Sequence, residues 1–182
     1  MSNCVRNSPL PRLSQITDCA RTLASVLKNS GSVMNESESE EALLMVLHSF
    51  DVITQHNVTV LDQLARQYDL YAPLVHLTTN SSNQEICLVA FKIMSMICSS
   101  DTGPHVGKLL DSGLIESIKL HLTRPLAESL CLETHKRLKS EVCLTLSNLA
   151  ADEEPRIVCE ILKHRLFEEA VVPLYFSCQE SP

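Results

Sequence analysis

Apolar residues recur along most of the chain at the three-to-four-residue spacing that marks one face of an α-helix. In one segment, Leu138, Val142, Leu146 and Leu149 follow the order i, i+4, i+8 and i+11. The 182 residues include only four glycines and no tryptophan, whereas sheet-rich folds use glycine in their turns and aromatic residues in their strands. The pattern therefore predicts an all-α protein.

The helical pattern repeats along the chain. Residues 41–50 align with residues 85–94 at an offset of 44, and a further offset of 52 leads to a third segment with the same apolar stripe. The corresponding positions are Ala42, Val46, Phe50 and Ile53, then Ile86, Ala90, Met94 and Ile97, then Leu138, Val142, Leu146 and Leu149. Repeats of this length indicate stacked supersecondary units, so three matching helices are predicted.

Shorter helices between these segments follow the same offsets. One set comprises Leu70, Tyr71 and Leu74, then Leu114, Ile115 and Ile118, then Leu166, Phe167 and Ala170; the other comprises Val106, Leu109 and Leu110, then Val158, Ile161 and Leu162. Members of the second set follow an acidic residue and a proline, Pro104 or Pro155, which is typical of a helix start. The predicted repeating unit is three helices.

These signals predict one repeat domain over residues 12–178, between a flexible tail at 1–11 and a short tail at 179–182. The domain divides into a partial repeat (12–54), a repeat (55–100), a repeat with a longer loop near 123–139 (101–151) and a second partial repeat (152–178). Within the first, we expect a helix over 12–28 and a flexible linker over 30–40 that ends in a capping box.

Charge and cysteine usage narrow the class of partner and compartment. The net charge of -7 argues against direct nucleic-acid binding, because that affinity depends on lysine and arginine displacing counterions. Neither a hydrophobic signal core nor an apolar run long enough to span a bilayer is present, so no membrane association is expected. Eight cysteines without a C-x-x-C pair favour a reducing compartment, the cytoplasm or the nucleus.

No catalytic, metal or cofactor site is predicted. The glycine-flanked stretch at 103–107 lacks the lysine and the serine or threonine of a phosphate-binding loop. Cys131 with His135, and Cys159 with His164, each supply two ligands, whereas a structural zinc site needs four. We therefore expect a protein that is not an enzyme.

Three stretches resemble armadillo repeats, of which residues 39–77 resemble them more loosely than the other two. SEVCLTLSNLAAD (140–152), followed by EPRIVCEILKHRLFEEAVVPL (154–174), is similar to a third helix ending in L-S-N-L-A and to the next repeat's first two helices. Residues 83–122 resemble the same pattern, with a D-S-G-L-I corner. The resemblance implies a right-handed α–α superhelix of about three to four repeats, partial at both ends, whose third helices line a concave groove for a partner's peptide or helix.

By this resemblance, the groove is lined by His48, Lys92, Met96, Leu144 and Asn148. Asn148 occupies the asparagine position that clamps the ligand backbone in nuclear-import receptors of the importin-alpha type; alternatively, its amide caps its own helix. Those receptors carry a tryptophan four residues earlier, where this chain has Leu144. The departure favours an apolar or mixed partner segment over a lysine-rich one.

The function predicted first is a non-enzymatic scaffold or adaptor that binds a partner protein in the groove. One alternative is an importin-alpha-like adaptor for basic localisation signals. Another is a structural assembly subunit that associates, with itself or with a partner, through apolar solenoid ends, where Tyr175 and Phe176 are the candidate contacts.

Overall fold

The computed structural model describes residues 21, 24–27, 37–55, 58–99, 104–125, 131–152, 154–173 and 175. Every regular element in these ranges is helical, which confirms the all-α class. Residues 21 and 24–27 are helical; the rest of the helix predicted over 12–28, both predicted tails and Phe176 lie outside the described residues.

Along the chain, each long helix is followed by two shorter helical elements. They are α1 (Ser37–Thr54), α2 (Val58–Tyr68), α3 (Tyr71–Asn80), α4 (Gln84–Cys98), α5 (Pro104–Asp111), α6 (Leu114–Thr123), α7 (Leu132–Ala150) and α8 (Pro155–Lys163), then a π-helical turn, Phe167–Val171. The long helices α1, α4 and α7 coincide with the three predicted matching segments. Because α1 begins at Ser37, the last four residues of the predicted 30–40 linker are helical. The longer loop predicted near 123–139 is likewise wrong over residues 132–139, because α7 begins at Leu132.

Local sequence signals explain several helix boundaries. The Asn83 side chain accepts a hydrogen bond from the Glu85 N–H, which satisfies one free donor at the start of α4. Gly113 turns α5 into α6 with a φ of 91°, in the left-handed region that glycine adopts without steric cost. Pro155 stands in the first turn of α8, where the missing N–H costs nothing.

The three long helices lie side by side and run parallel, with α4 in the middle. Hydrogen bonds join the N-terminal ends of neighbouring helices to each other, and others join their C-terminal halves. Near the N-terminal ends, Asn83 bonds to Glu40 between α4 and α1, and Gln84 bonds to His135 between α4 and α7. In the C-terminal halves, the corresponding pairs are Lys92 with Asp51 and Asn148 with Ser95. Partners that advance together along both helices require a parallel pair. The shorter helices α3 and α6 form a second layer, with the π-helical turn packed on α6.

One continuous core fills the space between these layers, and Phe50, Met94 and Leu146 are all buried in it. The predicted stripe is wrong in the first half of α1, where Ala42 is exposed and Val46 is only half-buried. Leu43 and Leu47 are buried instead. They precede Phe50 by seven and three residues, so they share its helical face and bury more apolar surface than alanine does.

The shorter apolar sets are buried except at the C-terminal end. Val106, Leu109 and Leu110 in α5 are buried, but their counterparts Val158 and Leu162 in α8 are 46% and 60% exposed. Phe167 is exposed as well, and α8 inserts Ile157 and Ile161 into the core. The end of the described structure therefore presents an apolar surface.

None of the described helices is both long and apolar enough to cross a membrane.

Candidate partner-binding groove

The three parallel helices leave a pocket of about 310 Å³ between them. It is lined by His48 and Asp51 from α1, by Glu85, Leu88, Val89 and Lys92 from α4, and by Arg137, Ser140 and Glu141 from α7. Two of the five predicted groove residues, His48 and Lys92, belong to this lining. We call it the groove pocket.

An ion pair connects α1 and α4 in the groove pocket. The Lys92 Nζ lies 2.6 Å from Asp51 Oδ2, and the lysine side chain is 43% exposed while Asp51 is buried. The second carboxylate oxygen, Asp51 Oδ1, is buried without a hydrogen-bond partner among the described residues. An unsatisfied buried acceptor is costly, so this oxygen marks an incomplete interaction.

A second carboxylate, that of Glu141 on α7, belongs to the groove pocket lining. Burial raises the pKa of Glu141, and the negative charge of Asp51 raises it further, whereas Lys92 and a hydrogen bond with Ser95 lower it. The pocket therefore combines apolar side chains with carboxylates that are partly removed from water.

Asn148 joins two helices, a role that neither alternative raised by the sequence includes. Its Nδ2 donates to the backbone oxygen of Ser95 at 3.0 Å and to the Ser95 hydroxyl at 3.1 Å, so it ties α7 to α4 and does not cap its own helix. Only Oδ1 has no partner within the described part of the chain. Contact between Asn148 and a ligand stays a prediction, now for that oxygen alone.

The remaining predicted groove residues differ in accessibility. Leu144 is 49% exposed, whereas Met96 is half-buried and packs against the core. Sequence reasoning missed the other seven lining residues, because none of them occupies the tryptophan or asparagine position of the repeat. They are Asp51, Glu85, Leu88, Val89, Arg137, Ser140 and Glu141. Asp51 did carry a signal: like Asn148, it is a polar residue within an apolar run.

Buried histidines join neighbouring helices by hydrogen bonds. His121 Nε2 donates to the Thr78 backbone oxygen at 2.6 Å, and His135 Nδ1 lies 3.0 Å from Gln84 Nε2. Burial lowers the pKa of both histidines. His105 contacts the Tyr71 hydroxyl and Arg66. These contacts hold the fold together and lie apart from the groove pocket lining.

Other candidate sites are less complete. Within the described ranges, no group of three or more His, Cys, Asp or Glu side chains could hold a metal ion.

A second pocket, of about 530 Å³, lies against α3. It is lined by Leu27, Ala72, Pro73, Val75, His76, Thr79, Asn80 and Ser112. Of the predicted end contacts, Tyr175 is 60% exposed.

Comparison with known proteins gives no match to a family model, to a curated protein or to a solved structure.

Proposed function

We propose that the protein is a non-enzymatic scaffold of the armadillo type, which binds a peptide or helix of a partner protein across α1, α4 and α7. The observation that carries this proposal is the groove pocket, because all three parallel helices contribute side chains to it. A segment lying across them contacts several repeats at once, as in other proteins built from stacked repeats.

The exposed chemistry fits a mixed partner segment. Leu144 supplies apolar surface on α7, and His48, Lys92 and Arg137 supply polar contacts in the groove pocket. A helix or strand of a partner gains affinity from apolar anchors, while charged groups set its orientation. A reducing compartment, the cytoplasm or nucleus, is proposed from Cys87 and Cys98, whose free thiols are buried.

Site-specific photo-cross-linking tests the groove directly. A photoreactive amino acid replaces His48 or Leu144 in the predicted groove, and, as a control, the exposed Gln63 on α2. We expect partner adducts from the two groove positions and none from Gln63. Adducts from Gln63 alone would overturn the proposal, because α2 contributes no side chain to the groove pocket.

A second candidate function, assembly through the solenoid end, is favoured by the exposed Val158, Leu162 and Tyr175. Sedimentation of the wild type and of Leu162→Lys tests it. Assembly predicts self-association that this variant abolishes; a concentration-independent monomer would rule out self-association through this end.

A further inference from the structure

We propose that the groove pocket binds one cationic side chain of the partner, with the guanidinium of arginine as the best fit, between Asp51 and Glu141. The inference rests on the proposed function and specifies the partner's chemistry. It requires one positive charge in the partner at this point, not a run of basic residues.

The formal charges in the pocket lining do not balance. Asp51, Glu85 and Glu141 supply three negative charges, and Lys92 and Arg137 supply two positive charges, with His48 counted as neutral. One negative charge is therefore in excess. A buried or partly buried charge needs a counter-charge and hydrogen bonds, and a ligand cation would supply both.

Asp51 carries the most specific indication of a ligand. The residue is 5% exposed, and Lys92 contacts only its Oδ2, so Oδ1 has no donor within the described structure. The Lys92 side chain is long, flexible and 43% exposed, which allows its ammonium group to shift toward water when a second donor enters. A ligand N–H group then satisfies the buried oxygen.

Glu141 lies on α7, on the other side of α4 from Asp51, and is partly buried. Its pKa is raised chiefly by burial, and Ser95 contributes a neutral hydrogen bond. A guanidinium presents N–H donors in a flat fork and can serve two carboxylates at once, which a compact ammonium does less well. Leu88 and Val89, in the same lining, provide apolar surface for the aliphatic stem.

The test titrates methylguanidinium into the isotope-labelled full chain and follows backbone amide signals by NMR. We expect saturable shifts at Asp51, Lys92 and Glu141, with a dissociation constant on the order of millimolar, as befits so small a probe. Methylurea has nearly the same shape without the charge, and we expect no shifts with it. Equal shifts with both probes, or none with methylguanidinium, would overturn the inference.

Two variants should act in opposite directions. Asp51→Asn should weaken methylguanidinium binding about tenfold, because a charge-assisted hydrogen bond is lost. Lys92→Gln should strengthen it, because the resident cation no longer competes for Asp51. The exposed Glu168, outside the lining, provides the control Glu168→Gln, which should change nothing. Weaker binding in both groove variants would indicate a merely structural pair and would overturn the inference.

Glu141→Gln repeats the test if Asp51→Asn lowers stability too far, and it too should weaken binding. The outcome is separable from the proposed function. If Leu144 cross-links to the partner but methylguanidinium does not bind, only the cationic specificity is overturned. If neither His48 nor Leu144 cross-links to the partner, groove binding itself is overturned.

Discussion

The Nδ2 atom of Asn148 lies 3.0 Å from the backbone oxygen of Ser95, so an amide predicted to hold a ligand joins two helices of its own chain. Asn148→Ala removes this bond and the one to the Ser95 hydroxyl. We expect the free energy of unfolding to fall by about 1–2 kcal/mol, because both hydrogen bonds from α7 to Ser95 are lost and only the Ser99 N–H still donates to the Ser95 carbonyl. Urea denaturation measures the change.

Ser147→Ala is the matched control, since Ser147 is the exposed neighbour on the same helix. Its free energy of unfolding should stay within about 0.5 kcal/mol of wild type. An equally small effect of Asn148→Ala would show that the two bonds add nothing to stability and would return Asn148 to a role in binding.

Met94, on α4, is fully buried in the core. Met94→Ala should lower the free energy of unfolding by about 2–5 kcal/mol, because the space left in a packed core is only partly refilled. Met45→Ala is the control, since Met45 is 66% exposed, and its effect should stay within about 0.5 kcal/mol. Chemical denaturation measures both variants. Similar losses of unfolding free energy in Met94→Ala and Met45→Ala would contradict the assignment of α4 to the centre of the core.

Two glycines should respond to alanine with opposite signs. Gly113 has a φ of 91°, so Gly113→Ala forces an L-residue into the left-handed region and should cost about 1–2 kcal/mol. Gly107 lies inside α5, and an added Cβ would meet only Arg156 Nη1, at 3.9 Å. Gly107→Ala should raise stability by about 0.5–1 kcal/mol. Thermal unfolding of the wild type and both variants compares the two effects. An unchanged stability in Gly113→Ala would contradict the left-handed backbone conformation at Gly113.

Acidification should destabilise the fold through His121 and His135. Burial lowers the pKa of each below its value in the unfolded chain, with Arg124 opposing protonation of both and Lys139 that of His135. The unfolded chain therefore binds more protons as pH falls, so stability should be constant above about pH 6.5 and decline below it. Urea denaturation between neutral and mildly acidic pH measures this decline.

Replacing His121 and His135 with glutamine should flatten that decline, whereas His76→Gln, at an exposed position on α3, should leave it unchanged. An unchanged decline in the double variant would assign the acid sensitivity to carboxylates instead.

The sequence by itself determined the helical class, the positions of α1, α4 and α7, and helix starts such as Pro104 and Pro155. These features depend on residues within a turn or two of each other, because apolar spacing and capping chemistry act locally. The offsets of 44 and 52 also located these three long helices.

Only the tertiary structure decided which faces meet. Periodicity states that residues share a side of a helix, but not which neighbour covers that side; Leu43 and Leu47 therefore replaced Ala42 and Val46, and Val158 stayed exposed. The same limit applies to the groove. Lys92 reaches Asp51 across 41 residues and Asn148 reaches Ser95 across 53, because such polar pairs form only where packing brings distant turns into contact.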